Sequence, residues 1–248
     1  MDFKDYFSDE ADSYAQSRPT YPDELFKYLA SLCPANNVAW DCATGNGQAA
    51  LSLTNYFKQI IATDASEQQI KNAAPHEKIR YAVALADNSG IDTGTVDLVT
   101  IAAALHWMDF DKFYTEVKRV LKPGGIIAGW TYYDSQITDA IDSIVYRLSR
   151  EILRAYWPAE SVYVQNRYRT IPFPFQPIES PLFKTSVNGT IDFLFRYLRS
   201  WSSSQRYIKA TGKDPIDLIK KELENAWGDV SQPKEITWDI TIKIGRKE

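Results

Sequence analysis

Two cysteines, two histidines and two methionines are all that 248 residues contain of these types. Cys33 and Cys42 make no disulfide framework, so a reducing, cytoplasmic setting is expected. Two histidines and two cysteines also give no ligand spacing for a metal, and none is expected. Positive charge is short as well: 28 Lys and Arg face 32 Asp and Glu, for a net charge of −4. A chain that grips nucleic acid needs a basic face, and this composition argues against nucleic acid as a partner. No apolar run approaches the length of a membrane span, and the opening residues MDFKDYFSDEADSY are too polar and acidic for a signal peptide. Neither a Gly-x-Ser-x-Gly elbow nor a phosphate-binding lysine motif appears, which argues against hydrolase and kinase chemistry.

Aromatic side chains are plentiful, with 7 Trp, 15 Tyr and 11 Phe. They exceed the needs of a simple core and point to an aromatic-lined pocket or interface. The length suits a single α/β domain over 1–248. Its parts read as an N-terminal arm and helix (1–34), a cofactor-binding core (35–130), a helical and aromatic cap (135–181), and C-terminal strands with a helix (182–248). Thr20 is expected to cap the first helix, with Pro22 in its first turn and Asp23 as capping-box partner. Strands are expected at 38–41, 60–63, 79–84, 97–101 and 126–130, alternating with helices. That rhythm predicts a doubly wound, mostly parallel sheet with helices on both faces. After 130 it breaks. A long helix is expected at 137–152, then a Pro- and aromatic-rich stretch at 157–181, then two closing strands at 183–187 and 236–244 around a helical stretch at 191–207.

The most informative unit is Asp41-Cys42-Ala43-Thr44-Gly45-Asn46-Gly47-Gln48 at the end of the first strand. Glycines there admit a ligand close to the backbone, and a helix N-terminus favours electron-rich groups. Gly45-x-Gly47-x-x-Ala50 alone fits a dinucleotide site as well as a site for S-adenosylmethionine (SAM). Asp41 just before the turn suits the ammonium end of a methionine moiety and sits badly against a pyrophosphate. Asp64 at the end of the second strand suits both ribose hydroxyls of either adenosine ligand. Lys122-Pro123-Gly124-Gly125 then leads into the fifth strand.

Together these motifs resemble the class I, seven-stranded SAM-dependent methyltransferases. Tyr14-Ala15, Arg18-Pro19, Tyr21-Pro22, Leu25-Phe26, Leu105-His106-Trp107, Ser200-Trp201-Ser202 and Gln205-Arg206-Tyr207 are similar to the trans-aconitate methyltransferase-like group of small-molecule enzymes. The resemblance implies SAM as cofactor and a seven-stranded sheet with an antiparallel C-terminal strand. It implies cofactor contacts from Asp41, Ala43, Gly45, Asn46, Gly47, Asp64, Ala65 and Ala104. It further implies an acid after strand three at the adenine amine, for which Asp87 stands in place, and a clamp on the cofactor carboxylate from Arg18 with Tyr21. Many relatives carry glycine where Ala43 stands. Both Asp87 and Arg18 also read as plain surface residues.

The acceptor is expected to be a small molecule, with a carboxylic acid leading. The motive is a set of arginines in the second half: Arg147, Arg154, Arg167, Arg169, Arg196, Arg199 and Arg206. Tyr132, Tyr133, Tyr156, Trp157 and Tyr163 are expected to form a lid. His106 follows strand four, where an acceptor would lie, and is suited either to orient it or to take its proton. His76 lies in a charged loop and is read as inert. Monomer and homodimer both remain open. Rival readings are an NAD-dependent oxidoreductase, a SAM-binding regulatory protein without catalysis, and a nucleic-acid methylase. Ala104-Leu105-His106-Trp107 stands where amino-group base methylases carry Asn/Asp-Pro-Pro-aromatic, which speaks against the last.

Overall fold

A computed structural model describes residues 19–248. Five parallel strands form its centre: β1 (Val38–Cys42), β2 (Gln59–Asp64), β3 (Ile79–Val83), β4 (Val96–Ala102) and β5 (Leu121–Gln136). Three more close the sheet: β6 (Gln176–Ile178), β7 (Phe183–Gly189) and β8 (Lys234–Arg246). The order across the sheet is β3-β2-β1-β4-β5-β8-β6, and β7 also pairs with β8. Eight strands therefore fill seven positions. The long β8 runs antiparallel to β5, and its outer edge is shared by β7 along 234–240 and β6 along 244–246. The three-residue β6 carries too little pattern to have been read from sequence.

The first described helix, α1, runs Asp23–Leu32 with Pro22 as its N-cap and no side-chain cap bond. The expected start at Thr20 and the Asp23 capping box are thus corrected. The Asp23 carboxylate instead accepts a hydrogen bond from the Tyr56 hydroxyl. Helices α2 (Gln48–Leu53), α3 (Glu67–Lys71) and α4 (Phe110–Val120) follow β1, β2 and β4. Ser66 caps α3 as its sequence position demands, accepting from the Gln69 N–H at 3.3 Å. Lys122 to Gly125 belongs to β5 rather than preceding it. Lys122 pairs with the buried Asp97 at 2.7 Å, and the other Asp97 oxygen accepts from the N–H groups of Asn37 and Val38. That motif thus braces the amino ends of β1, β4 and β5.

Beyond the sheet lie α5 (Asp139–Arg147), α6 (Ser161–Gln165), α7 (Ile191–Arg199), α8 (Ser202–Thr211) and α9 (Lys220–Trp227). The helix expected at 137–152 exists, but its last turn, Leu148–Ile152, is wound as a π-helix. Apolar clusters cover both faces of the sheet. Leu25, Leu29, Leu53 and Trp130 meet on one; Trp40, Phe113, Val117 and Tyr168 meet on the other. A third joins α5, α7 and α9 to Trp238 of β8. Among the described residues, no helix is long and apolar enough to cross a membrane.

Candidate active site

Strand order reverses between β1 and β4, which lie side by side while their following connections go opposite ways. Such a switch point opens a crevice at the carboxyl ends of the strands. The turn after β1 enters it through alternating left-handed residues: Ala43 (φ 54°), Gly45 (φ 56°) and Gly47 (φ 89°). A side chain at Gly47 would strike the Tyr81 hydroxyl, whereas one at Gly45 would meet only Gln69 at 3.8 Å. The backbone at Gly45 is therefore open to a ligand. Ala43 adopts a conformation that favours glycine.

Asp41 is fully buried at the end of β1. Its carboxylate accepts from the hydroxyls of Thr44 at 2.5 Å and Thr100 at 2.7 Å. Burial pushes its pKa up to about 6, partly offset by those two hydrogen bonds. The group lies under the turn and pins it to β4. Neither threonine carries an assigned role in the sequence, because a turn threonine and a strand threonine look the same with or without a buried acid beside them. Asp64, half-buried at the end of β2, accepts from the N–H groups of Gly45 and Ser66, both at 2.9 Å. Ala65 follows it at the crevice edge. Asp87 lies exposed in the turn between the bridged residues Leu85 and Asn88. That loop is held from behind. Glu116 of α4 accepts from the Ser89 N–H and hydroxyl, and Arg119 binds Glu116 and the Ile91 carbonyl. The Arg119 guanidinium holds the Glu116 carboxyl down at about 2. Tyr21 packs edge-on against Trp130, with ring centroids 5.4 Å apart. Arg18, like Tyr14 and Ala15, lies outside the described residues.

A second hollow opens at the carboxyl ends of β4 and β5. Its interior is small, about 90 Å³, and opens outward to solvent. Ala103 (φ 52°) leads from β4 into the short turn Leu105–Trp107, with Ala104 as its cap; His106 and Trp107 line the hollow. β5 supplies Thr131 and Tyr132, then bulges so that Tyr133 and Asp134 stand opposite the single Asp239. A bulge re-aims side chains and is frequent beside active sites. Ser149, carried by the π-turn, faces Tyr133 and holds the Trp157 indole N–H on its carbonyl at 2.9 Å. Tyr197, Trp201 and Ser202 close the far side, and Trp157 tilts against Trp201 at 5.6 Å. Of the expected lid, Tyr132, Tyr133 and Trp157 line the hollow. Tyr156 packs on Tyr207 and Tyr163 on Phe110 instead.

None of the seven arginines named from the sequence lines this hollow. Arg147 pairs with Glu222 and Arg199 with Asp214, while Arg154, Arg167, Arg169, Arg196 and Arg206 are exposed. The guanidinium at the wall belongs to Arg150, which the sequence did not flag. It stacks over Tyr133 at 4.9 Å and Tyr146 at 5.6 Å.

Residues 40–129 match the family model of a methyltransferase domain. A Dictyostelium discoideum protein provisionally named a methyltransferase is 32% identical over 99% of this chain and 96% of its own length. The chain belongs to the class I SAM-dependent methyltransferases. A solved structure from Anaeromyxobacter dehalogenans, provisionally described as a type II methyltransferase, is 39% identical and superposes with a TM-score of 0.87. The match covers 92% of this chain and 97% of that one. A Saccharomyces cerevisiae protein assigned as a SAM-dependent methyltransferase is 23% identical over 96% of both. The enzyme is thus a SAM-dependent methyltransferase, and the rival oxidoreductase reading falls.

Proposed function

We propose that this methyltransferase acts on a small molecule bound in the hollow beside β4 and β5, with a carboxylic acid as the leading class. The observation that carries this reading is the hollow itself, ring-walled and lined with hydroxyls at the carboxyl ends of β4 and β5. Bound SAM supplies an activated methyl on a positive sulfur. The residues of the crevice fit it. Gly45 offers open backbone, Asp64 at the end of β2 is the acid assigned to the ribose hydroxyls, and Asp41 lays a negative charge under the methionine end. Asn46, Ala65 and Ala104 are assigned to the cofactor beside these groups, and Asp87 to the adenine edge. Arg18 with Tyr21 is assigned to the cofactor carboxylate.

The chain's further task is to align the acceptor and exclude water. Trp107, Trp157 and Trp201 form the dry wall; Ser149, Ser161 and Ser202 supply hydroxyl donors. The acid reading no longer rests on the arginines read from sequence. It is supported by those donors and by Arg150 behind Tyr133, while Asp134 at the rim disfavours acceptors with several carboxylates. An ionised acid needs no base at pH 7, so His106 is assigned to orientation. The trans-aconitate-like subgroup is carried only by its sequence motifs.

The test has two arms. Calorimetry should show binding of SAM and S-adenosylhomocysteine but not NAD. A mass-spectrometric screen of monocarboxylic, dicarboxylic, phenolic and amine acceptors should give methyl esters of monocarboxylic acids. Methylation confined to amines or to macromolecules defeats the substrate class. SAM binding with no transfer to any acceptor would favour a regulatory role.

A further inference from the structure

The hydrogen bond between His106 and Tyr168 spans 62 positions of sequence. Tyr168 is fully buried, and its hydroxyl lies 2.8 Å from Nδ1 of His106. His106 lines the hollow, whereas Tyr168 belongs to the core cluster and lines no part of it. The chain takes up strain to put it there. Arg167 (φ 50°) and Tyr168 (φ 56°) are consecutive left-handed residues, neither of them glycine. Backbone bonds from Tyr168 N–H to the Tyr163 carbonyl at 2.8 Å, and from Ile171 N–H to the Tyr168 carbonyl, lock the turn. On the other side Ala103, also left-handed, starts the turn that presents His106, its N–H bound to the Trp130 carbonyl at 2.7 Å. Strain of this kind persists where the surrounding structure demands a particular placement.

We propose that Tyr168 is a positioning residue that fixes His106 with its proton on Nε2, so that the imidazole presents an N–H donor to the methyl acceptor. This deepens the function proposed above and rests on it for the acceptor. A phenol is a good donor and a poor acceptor, since its oxygen lone pairs are drawn into the ring. A neutral imidazole nitrogen is a strong acceptor. The Tyr168 hydroxyl therefore donates to Nδ1, and the proton of the neutral ring sits on Nε2. A ring in that state removes no proton. It holds an oxygen that has lone pairs to offer, such as an ionised carboxylate, and gives nothing to a protonated amine. The pair thus selects for acid acceptors independently of Arg150.

The chain has only two histidines, which makes the state directly readable. His76 is the internal reference, because its Nδ1 accepts from the Lys78 backbone N–H at 3.1 Å and its proton must be on Nε2. Nitrogen NMR of the full-length protein labelled with ¹⁵N-histidine at pH 8, assigned with His76→Gln, should show both rings protonated on Nε2. Tyr168→Phe keeps the buried ring and removes only the hydroxyl. It should leave His76 unchanged, give His106 a mixture of both tautomers, and raise the acceptor KM about fivefold with SAM affinity unchanged. A wild-type His106 protonated on Nδ1 overturns the proposal without any variant. So does a Tyr168→Phe protein with the wild-type tautomer. If no acid is methylated, the NMR result still decides the pairing, and only the acceptor class is lost.

Discussion

Asp41, Gly45, Gly47 and Asp64 come from one strand, its turn and the next strand. The wall of the neighbouring hollow draws on His106, Tyr133, Ser149, Trp157 and Trp201, gathered from the turn after β4, β5, a π-turn, a loop and the N-cap of α8. The two regions share one end of one sheet, yet they are built by different rules. The crevice is local. Its parts are placed by the β-turn-α geometry that its own sequence dictates. The hollow is assembled by tertiary packing, and each of its residues reads in isolation as an ordinary core or surface aromatic. A change in the cap alters the hollow and leaves the turn after β1 as it is.

The comparison is broken most directly by removing one group from each region. Asp64 holds Gly45 and Ser66 through charge-assisted hydrogen bonds and is assigned to the ribose. Asp64→Ala should weaken SAM binding by about 2–4 kcal/mol, the cost of losing bonds to a charged group while their partners remain. Trp157→Ala should leave SAM binding within about twofold and raise the acceptor KM roughly tenfold, about 1.4 kcal/mol. Calorimetry and steady-state kinetics read the two terms separately. A Trp157→Ala protein that loses SAM affinity as Asp64→Ala does would mean that the regions form one cooperative site.

How much was legible follows the same division. The parallel strands, the Ser66 cap and the glycine turn after β1 were readable, because periodicity and glycine placement are local signals. Asp41 was readable as a strand-end acid, but its burial under Thr44 and Thr100 was not, since Thr100 reaches it from another strand. The arginines misled because charge count says nothing about direction; most such side chains face water. Arg150 escaped notice because the π-turn that aims it leaves no mark in the apolar spacing. Tyr168 carried no signal at all, as a tyrosine in a polar, basic stretch whose partner lies in the turn after β4.

Two buried carboxyls give opposite pH dependences and sharpen the contrast between ligand-directed and structural charge. The folded pKa of Asp41 is raised to about 6, chiefly by burial. Its contribution to stability is present in full below the ordinary carboxyl range and is lost as pH rises through about 6. Asp41→Asn should therefore be more stable than the parent at pH 8 by about 1–3 kcal/mol, with the gain fading at pH 4. The same variant should bind SAM more weakly. Glu116 runs the other way. Its pKa is lowered to about 2, first by Arg119 and then by Ser89. Its stabilisation is present above about 4.5 and disappears as pH falls toward 2. Glu116→Gln should cost about 1–2 kcal/mol at pH 8, discounted because Arg119 is partly exposed. That cost should vanish near pH 2–3. Thermal melts across pH check both signs, and an Asp41→Asn protein less stable than the parent at pH 8 would show that its hydrogen bonds outweigh the burial of its charge.

The smallest expected effect comes from two alanines, one in each region. Ala43 in the turn after β1 and Ala103 after β4 have φ of 54° and 52°. An L-residue in the left-handed region pays roughly 1–2 kcal/mol. Glycine removes that strain but gives the unfolded chain more freedom, which takes back about 0.5–1 kcal/mol. Ala43→Gly and Ala103→Gly should each stabilise by about 0.5 kcal/mol, a rise in Tm of roughly 1–2 °C for a chain of this size. Their functional effects should differ. At position 43 the loop keeps its shape through the Thr44 N–H on the Thr63 carbonyl and the Gly47 N–H on the Thr44 carbonyl. SAM affinity should then stay within about twofold, a difference of only about 0.4 kcal/mol. At position 103 the residue lines the hollow, and a glycine there loosens the approach to His106. Acceptor KM should rise about two- to threefold with SAM binding unchanged, worth under about 1 kcal/mol. If Ala43→Gly moves SAM affinity tenfold while Ala103→Gly leaves the acceptor untouched, the alanine methyl at 43 contacts the cofactor. Strain would then be the wrong explanation for that position.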